Sequence, residues 1–209
     1  MTDDALTTNL RSYQRLRRLT LAALLALVFF VLLFGQSVFP PETVVHEAIE
    51  MSGIVLIVIG IAGRLWSTLY IGGRKAAAVV TDGPYSITRN PLYVFSSVAA
   101  MGVGAQMGSI TVAIGFGLAC AAAFHVVILR EERFLTTKLG AEYTDYIATV
   151  PRFLPNPALY REGDATGFKP QLLLTTLIDG LVFLVAMPLF EIIDAAQLSG
   201  TLPVLFRVP

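Results

Sequence analysis

Charged side chains are scarce in this sequence. Asp, Glu, Lys and Arg make up 14% of the 209 residues, 15 acidic against 15 basic, with a formal net charge of zero. A soluble domain carries about 25%. With no basic excess, no nucleic-acid partner is expected. The single cysteine, Cys120, excludes an internal disulfide, and its apolar setting marks it as a small buried hydrophobe. There is no C-x-x-C, no H-E-x-x-H and no Walker loop, so neither a metal site nor a P-loop nucleotide site is expected. Internal repeats and low-complexity runs are absent as well.

What fills the chain instead is apolar. Hydrophobic residues reach 55% and the mean hydropathy is +0.70. A spanning helix needs about 20 mostly apolar residues, and five segments come near that: 16–39, 44–70, 91–107, 109–129 and 172–193. Arg15, Arg17 and Arg18 before the first run imitate a secretory signal, but no small-residue cleavage site closes it, so a retained span is expected. Pro40 and Pro41 stop that helix. The second carries His46, Glu47 and Glu50 at its start and Arg64 at its end, where they can reach headgroups or water. Gly72 and Gly73 terminate it. Gly102 and Gly104 in the third segment and Gly115 and Gly117 in the fourth suit close helix approach. With a tight turn at Gly108, these two segments read as a packed hairpin. The fourth helix runs on past the membrane into Arg130, Glu131, Glu132 and Arg133, and Pro188 is a candidate kink in the fifth.

Five spans place the N-terminal arm, the second–third connection and the section after the fourth span on one side. Together these hold 14 of the 15 Lys and Arg. By the positive-inside rule that side is cytoplasmic, with the N-terminus there and the C-terminus opposite.

Two polar stretches flank the hairpin on that face. One runs over 79–93 and contains Asp82-Gly83-Pro84, a strong breaker cluster, with Pro91 suited to a first helical turn. A plain helix-entry loop explains it equally well, with Arg89 and Tyr93 as interface anchors. The other runs over 130–153. Glu131 and Glu132 point about 100° apart on a helix, so one can face the hairpin crevice and the other solvent, where Arg130 and Arg133 are possible partners. Tyr143 and Tyr146, three apart, share a helical face, for membrane-interface packing or for a ligand.

Taken in order, Gly83-Pro84-Tyr85, then Arg89-Asn90-Pro91-Leu92-Tyr93 at the start of a span, then Glu131-Glu132, then Leu139-Gly140-Ala141-Glu142-Tyr143-Thr144-Asp145-Tyr146 and Val150-Pro151-Arg152 resemble the isoprenylcysteine carboxyl methyltransferase family. That family belongs with the membrane phospholipid methyltransferases. The resemblance covers roughly a third of the chain, 79–155.

Together with the apolar runs and their charge pattern, it points to an all-α integral membrane protein of about five transmembrane helices, with a helical hairpin and a cytoplasmic cofactor-binding region. Residues 1–78 would form the N-terminal arm and first two spans, 79–160 the methyltransferase core, and 161–209 an additional span and tail. The implied cofactor is S-adenosylmethionine, and the implied partners are the lipid bilayer and a lipid-like methyl acceptor; no protein partner is named. By motif, Val79 and Val80 would offer backbone contacts to the cofactor and Tyr85 would line its pocket. Asn90, Pro91, Leu92 and Tyr93 would wrap it, and Glu131 would bind a polar group of it. Arg130 or Arg89 would contact the acceptor.

Two departures stand out. Asn90 replaces the family's histidine, and asparagine takes up no proton near neutral pH. Ala76-Ala77-Ala78 stand where the family often has another histidine. An acceptor needing no base, such as a carboxylate, is therefore favoured. A phospholipid amine acceptor would first lose a proton, with Glu132 as the base. Two other classes compete: a nicotinamide-dependent membrane reductase, usually longer with more spans, and a non-catalytic scaffold or transporter.

Overall fold

The computed structural model describes residues 29–72, 78–163 and 169–209. Most of the first expected span, with its preceding arginines, and Arg74 to Ala77 lie outside the described residues. Residues 29–34 are helical, but the expected helix does not reach Phe39. Gly35–Ser37 (β1) instead pairs in parallel with Phe206–Val208 (β2), Gln36 opposite Arg207. This short ribbon corrects the expectation of a purely helical protein.

Helix α1, Val44–Ile71, begins where the Thr43 side chain accepts from the His46 backbone N–H. Its 28 residues extend about 42 Å at 1.5 Å each, more than the bilayer core of about 30 Å. A four-residue helix α2, Pro84–Ile87, precedes α3, Pro91–Ala105. Helix α4, Ile110–Leu139, is one continuous rod through the expected membrane border, capped by Ser109 accepting from the Val112 N–H. Helix α5, Ala141–Thr149, lies beyond it. Helices α6, Pro170–Leu181, and α7, Ala186–Leu198, are joined by a 3₁₀ turn, Val182–Val185. The irregularity falls one turn before Pro188, which has no N–H to offer the Leu184 carbonyl.

Among the described residues, three units are long and apolar enough to cross a membrane: α1, α4, and α6–α7 taken as Pro170–Leu198. Helix α3 is apolar but has 15 residues, about 22 Å of helix. Of the five expected spans, three are therefore present at full length and one is short.

Helix α3 is central, packed between α1 and α4, and α6 lies along α1. Small residues allow this approach. A Cβ on Gly60 would meet the Ala99 Cβ at 2.6 Å, one on Gly102 would meet the Gly53 carbonyl at 2.5 Å, and one on Gly104 would meet the Val112 carbonyl at 2.7 Å. Lipid tails are as apolar as these side chains, so close van der Waals fit rather than water exclusion holds the helices together. Gly115 departs from the expectation, since nothing lies within 4 Å of its Cβ position. Arg64 departs too. It lies within α1, half-buried, with its guanidinium donating to Ser96 of α3.

The far end of the bundle is laced by the C-terminal tail. Ser37 Oγ donates to the Gly108 carbonyl at 2.7 Å, and Ser109 Oγ to the Pro209 carbonyl at 2.6 Å. Gly108, at φ +63°, makes the expected tight turn. The opposite end gathers the end of α1, the start of α3 and the end of α4. Replacing Gly60 by leucine is expected to destabilise the α1–α3 contact by about 1–3 kcal/mol, read as a lowered melting temperature of the purified protein in detergent.

Candidate functional site

The second polar stretch folds back on the first. After α5 the chain turns at Val150 and runs beside α2 and the start of α3. Arg89 N–H donates to the Pro151 carbonyl at 2.9 Å, Asn156 N–H to the Ile87 carbonyl at 2.8 Å, and Thr88 Oγ1 to the Phe153 carbonyl at 3.1 Å. Further on, the Gly83 N–H donates to the Arg161 carbonyl at 2.8 Å. Gly83 itself holds φ +55°, and a Cβ there would strike the Tyr70 ring.

One ion cluster locks these pieces to α4. Glu132 is 5% exposed and receives Arg89 Nε at 3.0 Å and Arg152 Nε at 2.9 Å. The terminal nitrogen of Arg89 donates on to the carbonyls of Ile147, at 2.7 Å, and Val150, at 3.1 Å. Asn90 Nδ2 reaches the Arg152 carbonyl at 2.9 Å. The partners expected for the acidic pair, Arg130 and Arg133, are instead exposed. The solvated position considered for one carboxylate is not occupied by either, because Glu132 is buried and Glu131 is partly buried in the crevice.

A cleft lined by residues of both polar stretches opens in front of this cluster. Of the expected cofactor residues, Val79, Val80, Tyr85, Asn90, Pro91, Leu92, Tyr93 and Glu131 all line it, and so does Arg89. Arg130 and Glu132 do not: Arg130 projects from α4 outside it, and Glu132 sits behind its wall. Tyr143, Tyr146, Leu135 and Leu139 also line it, with Ile71 and Ala78, and were not among the expected site residues. Their signal was the spacing of the two tyrosines, whose rings pack at 5.8 Å and face inward rather than toward lipid. Arg152 was the other omission; nothing in its local sequence announces that it pairs with Glu132.

Two polar features distinguish the cleft. Tyr93 OH donates to Glu131 Oε2 at 2.8 Å, which orients that carboxylate. The Tyr85 hydroxyl is buried with no hydrogen-bond partner among the described residues. An unmet buried hydroxyl costs about 1–3 kcal/mol, which a polar ligand in the cleft would relieve. Tyr146 OH donates to the Tyr85 carbonyl at 2.7 Å and fixes the backbone beneath that ring.

Burial pushes the Tyr85 phenol well above its ordinary range, with Tyr146 and Glu131 adding to the effect. Burial also raises Tyr143, to about 12, with Glu132 the next cause. Tyr146 moves in the same direction, first through burial and then through Tyr143. These tyrosines are neutral donors across the physiological range.

Residues 48–142 match the phospholipid methyltransferase family. The chain is 32% identical over 184 residues to the nickel-cobalt-cadmium resistance protein NccN of Alcaligenes xylosoxydans xylosoxydans, which covers 88% of this chain and 85% of that protein. It is 39% identical over 135 residues to the cobalt-zinc-cadmium resistance protein CzcN of Cupriavidus metallidurans, covering 65% of this chain and 61% of that one. It is also 32% identical over 95 residues to a protein-S-isoprenylcysteine O-methyltransferase of Schizosaccharomyces pombe, covering 45% of this chain and 40% of the enzyme. No solved structure matches the chain. The class defined by these matches and by the membrane helices is that of the membrane methyltransferases. Within it, the chain belongs to the phospholipid methyltransferase family and is related to the isoprenylcysteine methyltransferases.

Removing one partner of a buried ion cluster leaves the others unpaired. Glu132→Ala is therefore expected to destabilise the protein by about 3–5 kcal/mol, measured by thermal or denaturant unfolding in detergent. The tyrosines set an alkaline limit. Their folded pKa values exceed the unfolded value of about 10, so the native state holds these protons more tightly. The resulting stabilisation is complete below about pH 10 and is lost as the pH climbs through the Tyr143 value of about 12. Phenolate absorbance and melting temperature recorded together from pH 9 to 12.5 are expected to show the ordinary tyrosines ionising first and the loss of structure following.

Proposed function

We propose that this protein is an S-adenosylmethionine-dependent methyltransferase acting on a lipid-like acceptor, with carboxylate O-methylation favoured, at the cytoplasmic membrane face. The single observation that supports this best is the cleft itself. It unites nearly every residue that the family motifs implicate, and it contains a carboxylate, four tyrosines and one unmet buried hydroxyl.

The residues present fit the cofactor. Aromatic faces attract a cation, and Tyr85, Tyr93, Tyr143 and Tyr146 surround the space where a sulfonium would lie. Glu131 would hold a polar group, and Val79 and Val80 would present their backbone. Asn90 would act through its amide, holding the Arg152 carbonyl and with it the cleft wall. When bound, S-adenosylmethionine supplies a methyl group: the acceptor oxygen's lone pair forms the new C–O bond while the C–S bond breaks and its electrons remain on sulfur. The protein's task is then alignment of donor and acceptor and exclusion of water. A carboxylate acceptor is already anionic and needs no base. This suits a cleft in which Glu132 is committed to two arginines and Asn90 carries no titratable proton.

Arg89 lines the cleft and remains the candidate for acceptor contact through whatever its guanidinium has left after bracing Glu132 and α5. Arg130, exposed near the membrane border of α4, would meet an acceptor headgroup on its way in. The relatives named for cobalt, cadmium, nickel or zinc resistance support a setting for this methylation in cells tolerating divalent metals.

Labelled S-adenosylmethionine is expected to bind the purified protein, and Glu131→Ala to abolish binding. Tyr85→Phe separates ligand from scaffold. Removing an unmet hydroxyl is expected to raise the stability of the ligand-free protein by about 1 kcal/mol and weaken binding roughly fivefold to tenfold. Binding unchanged in both variants would remove the site assignment. Incubation with a total lipid extract and identification of the labelled product names the acceptor; a labelled amine rather than an ester would decide for phospholipid N-methylation.

A further inference from the structure

The end of the bundle away from the cleft holds a second set of groups. His46 is the third residue of α1, Glu50 lies one turn later on the same face, and Asp194 comes from the last turns of α7. One ligand atom from each lies within 4.8 Å of the others. None of the three takes part in the cleft.

The seat of the imidazole decides its chemistry. His46 is 2% exposed. Its ring packs on the turn at Gly108, where a Cβ would fall inside the ring. Nδ1 lies 2.9 Å from the Phe39 carbonyl oxygen. A carbonyl only accepts, so Nδ1 carries a proton, and a neutral ring would then turn a bare Nε2 lone pair toward Glu50. Nε2 and Glu50 Oε1 are 3.2 Å apart. Two lone pairs held at that distance need a proton or a metal cation between them. Asp194, half-buried, has no hydrogen-bond donor among the described residues to offset its charge. His46 is the favourable electrostatic partner of both Glu50 and Asp194, while Glu191 opposes charge on both and Glu47 on Glu50. At the border of an apolar bundle, so many carboxylates around one imidazole are costly without a compensating positive charge.

We propose that His46, Glu50 and Asp194 form a binding site for a divalent transition-metal cation of the zinc, cobalt or nickel class. An Nδ1–H donated to a backbone carbonyl is the usual outer support of a metal-bound histidine, because it fixes the tautomer and aims Nε2 at the ion. Ligand bonds of about 2.0–2.1 Å in a tetrahedral site put neighbouring ligand atoms about 3.3 Å apart. The His46–Glu50 pair already stands at 3.2 Å, and Asp194 closes the third position by a side-chain rotation. A neutral imidazole with two carboxylates balances a charge of +2. The nitrogen ligand disfavours magnesium and calcium, which take oxygen ligands. Glu50 is one-third exposed, which leaves the ion a route in from the membrane border.

The alternative for the same geometry is a proton on Nε2, making His46 and Glu50 an ordinary ion pair. Titrating the metal-stripped, detergent-purified full chain with Zn²⁺, and separately with Co²⁺ while recording its visible absorption, distinguishes the two. The expected result is one saturable equivalent of each, unaffected by excess Mg²⁺, with a rise in melting temperature on addition of Zn²⁺. Asp194→Asn and Glu50→Gln keep size and shape. Each is expected to weaken binding by more than the roughly 10–100-fold that loss of an outer partner costs, with gel-filtration profile and helical circular dichroism unchanged. Glu131→Ala in the cleft should bind the ion like the parent, so failure of the methyltransferase reading and failure of this one are separable. The absence of saturable binding, or binding indifferent to both Asp194→Asn and Glu50→Gln, would leave only the proton-bridged pair and overturn the proposal.

Discussion

The buried Glu132 carboxylate organises this protein. It sits on α4 and receives Arg89, from the entry to α3, and Arg152, from the chain returning after α5. Arg152 is 40% exposed and keeps its remaining N–H groups in reach of water, so the desolvation falls on Glu132 and Arg89 and is repaid only if the other N–H groups of Arg89 are used. Arg89 meets that condition through the carbonyls of Ile147 and Val150. One acidic side chain thus ties together three segments far apart in sequence. The cleft exists because they are tied.

From that cluster outward, each layer is passive support for the next. The carbonyls of Pro151, Arg152 and Phe153 hold the backbone of 88–90, which presents Tyr85 and Tyr93 to the cleft. Tyr93 then orients Glu131. The adjacent carboxylates have divided labour by helix geometry: the 100° step that separates them sends Glu132 into the scaffold and Glu131 into the cleft. The family histidine's place is taken by Asn90, whose amide needs no proton uptake to make its hydrogen bond to the Arg152 carbonyl. The substitution keeps the wall and removes a titratable group from it.

The membrane-embedded half follows another logic. Close glycine and alanine contacts set the α1–α3–α4 packing, and polar side chains inside it bond across or along the helices: Arg64 donates to Ser96, although its buried Nε has no partner among the described residues. Both ends of the bundle carry the chemistry: the cleft at one end, the imidazole and carboxylates at the other. This is where water and ions can reach charged groups without crossing hydrocarbon.

Much was legible in the sequence. Apolar run lengths, Gly108, the breaker at Asp82-Gly83-Pro84 and the proline at the start of α3 are local signals, and local backbone chemistry answers them directly. The motif residues of the cofactor group could be named because their order along the chain carries the pattern. What local signals could not supply was partnership. Glu132 read alone is an exposed helix-end acid with Arg130 and Arg133 as neighbours, and Gly115 read alone is a helix-packing glycine. The strand pairing of residues 35–37 with 206–208 joins opposite ends of the chain, and no periodicity in an apolar run announces it.

The sequence by itself determined that this chain has helices long and apolar enough to enter a membrane and that it carries a methyltransferase family's motifs, because each depends on composition or short spacing. Only the tertiary structure decided which carboxylate is scaffold and which is cleft. It also brought Asp194 within reach of His46 and Glu50, nearly 150 residues away. The physical reason is the same in both cases: the energy of a charge depends on what surrounds it, and in a helical bundle the surroundings come from distant parts of the chain.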